Sequence, residues 1–177
     1  YLPFKHVEDG TTPMPAFGDG FKVHITGLTH DERGYPDTNN PETNSKLVTR
    51  VCNKILNNRN EISSVFTQFC DDADTVVISY GSPIRAVIEA VLKVRKEGRK
   101  VGYIKVDTPW PFPNEQVLEL TEGAKNVIVG EMNLGQMYYE VDRLLKQQNN
   151  VHLLGKIGGM LPTPDEIISK IKEVEDK

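Results

Sequence analysis

From residue 74 to the last residue, short β-branched runs alternate with stretches of helical period, and few folds accommodate that alternation. Thr75-Val76-Val77-Ile78-Ser79-Tyr80 reads as a buried strand that stops at Gly81-Ser82-Pro83. Ser82 is placed to cap a helix and Pro83 to open its first turn. The helix that follows carries Ile84, Val87, Ile88, Val91 and Leu92 on one face and should end near Gly98, behind a cluster of Lys and Arg. Lys100-Val101-Gly102-Tyr103-Ile104-Lys105-Val106 is the next strand, followed by the proline-punctuated turn Thr108-Pro109-Trp110-Pro111-Phe112-Pro113. Asn114 is a fair cap for a short helix through Leu120.

The same rhythm continues. Asn126-Val127-Ile128-Val129-Gly130-Glu131 reads as a strand, and Leu134, Met137, Tyr138, Val141 and Leu145 mark one helical stripe. Val151-His152-Leu153-Leu154 is a last strand, and Thr163-Pro164-Asp165-Glu166 opens a last helix. Strands joined by helices imply βαβ units, hence a mainly parallel sheet with helices on both faces. The expected fold is therefore a three-layer α/β/α domain over residues 71–177.

Residues 1–70 follow no such rhythm. A Pro/Gly-rich stretch through residue 18 reads as an extended linker, and Tyr1 reads as the start of a piece of a longer polypeptide. Phe21-Lys22-Val23-His24-Ile25-Thr26 alternates with period two, as an edge strand would. Residues 45–57 carry Leu47, Val48, Val51, Cys52, Ile55 and Leu56 at helical spacing, a connecting helix. A polar loop spans residues 29–44, long enough to be functional or to pack on a partner.

Composition excludes several classes. The 177 residues are 38% hydrophobic and 26% charged with a net charge of -4, which gives no basic footprint for nucleic acid. No apolar run reaches the ~18 residues a membrane span needs, and no signal-peptide pattern is visible. Cys52 and Cys70 are the only cysteines, expected buried and reduced, and too few for an iron–sulfur cluster.

Candidate chemistry is sparse. Gly18-Asp19-Gly20 with Asn39-Asn40 resembles the metal-binding signature of thiamine-diphosphate enzymes. The order relative to the strand and the interval are both wrong, however, and a turn plus a proline-bounded loop explains the pieces. His30-Asp31-Glu32 sets a base beside two carboxylates, but adjacent side chains diverge, so a contact loop fits better than a metal or catalytic site. Tyr80, Gly81, Ser82, Arg85, Asp107, Glu131, Asn133 and Gln136 should gather at the edge where the parallel strands end. Open α/β sheets bind ligands at that edge; the cluster is either an anion site at the helix start or the seam against a second domain, the seam being preferred. No nucleophile–base constellation stands out, and no metal site is expected.

Four segments together point to a family. Thr26-Gly27-Leu28-Thr29-His30-Asp31-Glu32-Arg33-Gly34-Tyr35-Pro36, Tyr80-Gly81-Ser82 with Arg85, Thr108-Pro109-Trp110-Pro111-Phe112-Pro113, and Glu131-Met132-Asn133-Leu134-Gly135-Gln136 occur in order. This succession resembles 2-oxoacid:ferredoxin oxidoreductase alpha subunits, whose following domain is similar to the transketolase C-terminal domain. The resemblance implies a cytoplasmic, multi-subunit enzyme that decarboxylates 2-oxoglutarate or 2-ketoisovalerate on thiamine diphosphate. It implies transfer of the acyl group to coenzyme A and of single electrons through iron–sulfur clusters to ferredoxin. It also places the diphosphate and Mg²⁺ on the beta subunit, the pyrimidine ring on an alpha-subunit domain absent from this sequence, and the clusters on another subunit or domain. The role left for this chain is structural and assembly-related. A stand-alone nucleotide- or anion-binding regulatory domain, or part of a lipoamide-dependent 2-oxoacid dehydrogenase, are the alternatives.

Overall fold

A computed structural model describes residues 1–145 and 148–176. The chain divides into two compact units, Tyr1–Arg59 and Asn60–Lys177.

The second unit is organised around a five-stranded sheet of order β1-β3-β2-β4-β5. The strands are β1 (Val65–Gln68), β2 (Thr75–Tyr80), β3 (Val101–Val106), β4 (Asn126–Glu131) and β5 (Asn150–Gly155). The four from β2 onward are mutually parallel, and β1 runs antiparallel to β3 with Val65 opposite Val106. Helices connect the parallel strands, as the right-handed crossover requires: α3 (Ile84–Lys96), α4 (Asn114–Thr121) and α5 (Gln136–Leu145), with α6 (Pro164–Glu175) closing the domain.

Side chains on a strand alternate between faces, and here both faces are covered. Val77, Tyr103 and Ile128 pack beneath Val87, Ala90, Val91 and Val94 of α3 and Ile167 and Ile171 of α6. Val76, Ile78, Ile104, Val127 and Val129 pack on the other side against Val117 of α4 and Met137, Val141 and Leu145 of α5. This is the three-layer arrangement the alternation predicts. Thr163 accepts from the Glu166 amide while the Glu166 carboxylate accepts from the Thr163 amide, so the last helix starts with a full capping box.

Local details differ from expectation. Ser82 does not cap α3: the cap position is Pro83 and no side chain fills it. Gly81 turns with φ +64, and Ser82 is left exposed. Asn114 is the first residue of α4 rather than its cap, which is Pro113. β1 was hidden in the sequence because a four-residue strand shows too little alternation to register, and it brings residues before 71 into the sheet.

The first unit contains α1 (Pro41–Leu56), and α2 (Arg59–Ile62) straddles the division. α1 begins earlier than its apolar spacing suggests because Asn40 caps it, accepting from the Glu42 and Thr43 amides, with Pro41 in the first turn. Residues 21–26 form no strand, and Phe21 and Ile25 are exposed. An alternating pattern makes a strand only where a neighbour can complete its hydrogen-bond ladder, and none is present in this unit among the described residues. Cys52 is exposed rather than buried, and Cys70 is partly buried; both are free thiols.

Candidate functional site

The edge at the carboxyl ends of the parallel strands is held by two acceptors. The Glu131 side chain is fully buried, and its carboxylate oxygens accept from the Met137 and Tyr138 amides, each at 3.0 Å. Asn133 Oδ1 accepts from the amides of Gly135 (2.9 Å) and Gln136 (2.8 Å). Together they satisfy the first-turn N–H groups of α5, where the helix dipole favours negative charge. Asn133 Nδ2 donates to the Tyr80 hydroxyl at 2.9 Å, which fastens the end of β2 to the loop after β4. A Cβ on Gly155 would lie 2.6 Å from the Asn133 carbonyl oxygen, so the same loop seats closely against the end of β5.

Tyr80 and Asn133 are thus joined directly, the Gln136 amide is held by Asn133, and the Glu131 carboxylate is taken up by the Met137 and Tyr138 amides. Asp107 instead pairs with Lys105 at 2.6 Å. Gly81, Ser82 and Arg85 stand exposed at the start of α3, and no hydrogen bond joins Ser82 or Arg85 to the cluster among the described residues. Around this edge Trp110, Leu134, Ile157 and Met160 are all more than 60% exposed, an apolar rim on loops that follow three different strands. The capping roles of Glu131 and Asn133 escaped the sequence reading, because the recognisable Asn signal stands directly before a helix and Asn133 lies three residues ahead of Gln136.

His30, Asp31 and Glu32 lie in the first unit, and each is engaged within it. His30 Nδ1 is 2.9 Å from the Leu28 carbonyl oxygen, and its ring meets Phe4 with centroids 4.4 Å apart. Partial burial works against ionised Asp31, but hydrogen bonds from the Arg33 guanidinium and from the Tyr35 and Arg33 amides outweigh it and lower the Asp31 pKa. Glu32 accepts from the His6 amide at 3.2 Å. Gly34 closes the loop with φ +92, and a Cβ there would meet the His24 carbonyl oxygen at 2.5 Å. The three residues line a cavity of about 540 Å³ with Phe4, His6, Lys46 and Arg50. Asp19 accepts from the Ala16 amide and Asn40 caps α1, so the fragments that resemble a thiamine-diphosphate signature are engaged in local turns. Among the described residues, no group of three or more His, Cys, Asp or Glu could hold a metal ion. Nor is any described helix long and apolar enough to cross a membrane.

Comparison with known proteins bears on what this edge belongs to. Residues 73–167 match the family described as pyruvate:ferredoxin oxidoreductase core domain II. The 2-oxoglutarate synthase subunit KorA of Methanothermobacter marburgensis is 54% identical over 171 residues, 97% of this chain and 46% of that subunit. The ketoisovalerate oxidoreductase subunit VorB of Methanothermobacter thermautotrophicus is 36% identical over 104 residues, 59% of this chain and 29% of that subunit. The chain therefore spans about half the length of the KorA subunit it matches. In structure it is similar to the 2-oxoglutarate:ferredoxin oxidoreductase of Magnetococcus marinus, solved with 2-oxoglutarate, coenzyme A and succinyl-CoA bound. That likeness has a TM-score of 0.74 at 27% identity, over 96% of this chain and 30% of the other. A split-gene transketolase shares the fold at a TM-score of 0.53 and 16% identity, over 63% of this chain and 40% of its own. By family match and sequence alike, the chain belongs to the 2-oxoacid:ferredoxin oxidoreductase alpha subunits and carries their core domain II.

Proposed function

We propose that this chain is part of the alpha subunit of an oxidoreductase that converts 2-oxoglutarate to succinyl-CoA in the cytoplasm and passes the electrons to ferredoxin. The observation that carries the substrate is the contrast in likeness: 54% identity over 97% of the chain to a 2-oxoglutarate synthase subunit, against 36% over 59% to a ketoisovalerate subunit. Within that enzyme the chain acts as scaffold. Its polar edge residues Tyr80, Glu131 and Asn133 are engaged in fastening the strand ends and the start of α5, with Gln136 in its first turn, and the exposed rim of Trp110, Leu134, Ile157 and Met160 is apolar, which suits a seam against another domain or subunit. Gly81, Ser82 and Arg85 lie on the same edge and would face that seam.

Thiamine diphosphate, Mg²⁺ and iron–sulfur clusters are implied by the family, and the residues present here do not fit them. Asp19 and Asn40 are committed to local turns, and the two cysteines, Cys52 and Cys70, are fewer than the roughly four thiolates a cluster takes. No chemical step is therefore assigned to this chain; a beta subunit and an iron–sulfur subunit would supply these groups. The reading is tested with the complete enzyme, assembled from the full-length subunit and its partners, by following coenzyme A-dependent reduction of a ferredoxin substitute. Turnover with 2-oxoglutarate exceeding that with 2-ketoisovalerate is the expected result. A preference for 2-ketoisovalerate, or reduction dependent on lipoamide, would overturn it.

A further inference from the structure

The turn that follows β3 is poor in hydrogen-bond donors. In Thr108-Pro109-Trp110-Pro111-Phe112-Pro113 every second residue lacks an N–H, so the turn cannot build a ladder of its own. Its carbonyl groups still need donors where they are buried, and these come from outside the turn. The Phe112 carbonyl accepts from the Asn114 amide at 2.9 Å and the Pro113 carbonyl from the Val117 amide at 3.0 Å, both in α4. The Pro111 carbonyl accepts from the Ser63 hydroxyl at 2.7 Å, across 48 positions of sequence.

Ser63 belongs to a short brace. It stands just ahead of β1, on the segment by which the chain joins the sheet, and is only 7% exposed. Its neighbours make the same connection at the near end of the turn. The Asp107 amide donates to the Ser64 carbonyl at 3.0 Å, and the Thr108 hydroxyl donates to the Ile62 carbonyl at 3.0 Å. Pairing of Val65 with Val106 carries the line on into the sheet. Three consecutive residues thus grip both ends of the stretch 107–111, and Trp110 lies between the grips. Pro111 and Phe112 are buried, whereas Trp110 is 62% exposed.

We propose that Ser63 is a positioning residue: through the Pro111 carbonyl it fixes the direction in which Trp110 is presented at the strand-end edge. Burial of Phe112 anchors the turn, but apolar burial is non-directional. The hydrogen bond supplies the direction, because it holds only over a narrow range of distance and angle. A buried hydroxyl left without a partner is unfavourable, so the arrangement that brings Pro111 to Ser63 is selected over others of equal apolar burial. The use of that direction, contact with another domain or subunit, rests on the seam reading given above; the positioning itself does not.

The test uses the complete subunit that carries this chain, and the enzyme assembled from it, labelled with fluorotryptophan. Trp110→Phe assigns the fluorine resonance of Trp110. Ser63→Ala removes the hydroxyl, and Thr108→Val cuts the brace at its more exposed end, so the outcome does not hang on one variant folding. Ser63→Ala should shift or broaden the Trp110 resonance of the folded subunit, and Thr108→Val should do the same to a smaller extent. Assembly with the partner subunits, followed by sedimentation, should weaken about 5-fold in Ser63→Ala, roughly the net worth of one hydrogen bond. In a Trp110→Ala background the same change should add nothing, since residues that act through one contact are not additive. A Trp110 resonance unmoved by either variant, with unfolding stability alone reduced, would overturn the proposal and leave Ser63 a purely structural residue. Equal weakening of assembly by Ser63→Ala with and without Trp110 would overturn it too. A moved resonance together with assembly indifferent to Trp110→Ala would uphold the positioning and sink the seam reading instead.

Discussion

The two units of this chain solve the problem of burial in opposite ways. The second carries the buried apolar core of the described residues, from Ala73 to Val174, in clusters on both faces of one sheet. The first has a sixteen-residue helix, α1, with no buried residue at all, and leaves Val48, Val51 and Leu56 between 43% and 51% exposed. A parallel sheet forces burial because its crossovers lay helices on both faces. The amphipathic α1 has an apolar stripe of which only Leu47 and Ile55 are half-buried among the described residues. The lesson is that one region is a self-sufficient core, and the other presents surface to be covered.

Substitutions can break or sharpen this contrast. The largest effect belongs to Ile128→Ala in the centre of the sheet, where loss of a fully buried side chain should cost about 2–5 kcal/mol in denaturant unfolding. Removing the Glu131 carboxylate as Glu131→Ala strands the Met137 and Tyr138 amides and should cost about 1–3 kcal/mol. Thr163→Ala breaks the capping box of α6 at a cost of about 1 kcal/mol, read by the same unfolding curve. Val51→Ala on the open face of α1 should change stability by less than about 0.5 kcal/mol; a cost above 2 kcal/mol would mean that this face is already covered.

The smallest effect is a pH dependence. Glu166 is held down to about 2, first by the Lys156 ammonium and then by the Thr163 amide. A carboxylate depressed on folding contributes stability that is complete above its ordinary value of 4.5 and is lost as pH falls toward about 2. Glu166→Gln should therefore flatten the stability profile within that window and leave it unchanged in slope above it.

Much of the second unit was legible in the sequence because buried parallel strands are continuous apolar runs and their helices keep a strict period. Val76 to Tyr80 and the Thr163 cap could be read directly; the stripe of α3 was right for Ile84, Val87 and Val91, but Leu92 is exposed and Ala90 and Val94 take buried positions instead. β1 could not: its four residues, Val65 to Gln68, gain strand character from pairing with β3, a contact remote in sequence. The alternation in residues 21–26 misled for the complementary reason, since a pattern without a partner strand makes no ladder. At the edge, Tyr80, Glu131 and Asn133 could be placed by strand order, while the use of Glu131 and Asn133 as helix acceptors depends on where α5 begins. Asp107 was grouped with them by strand order alone, and its neighbour Lys105 claims it instead.

If this chain is scaffold, the reacting groups of the proposed oxidoreductase lie outside it. Calorimetric titration of the chain with thiamine diphosphate and Mg²⁺ decides this. The expected result is no saturable heat with the chain alone, and saturable binding once the complete enzyme is assembled. Tight, stoichiometric binding by the isolated chain would contradict it.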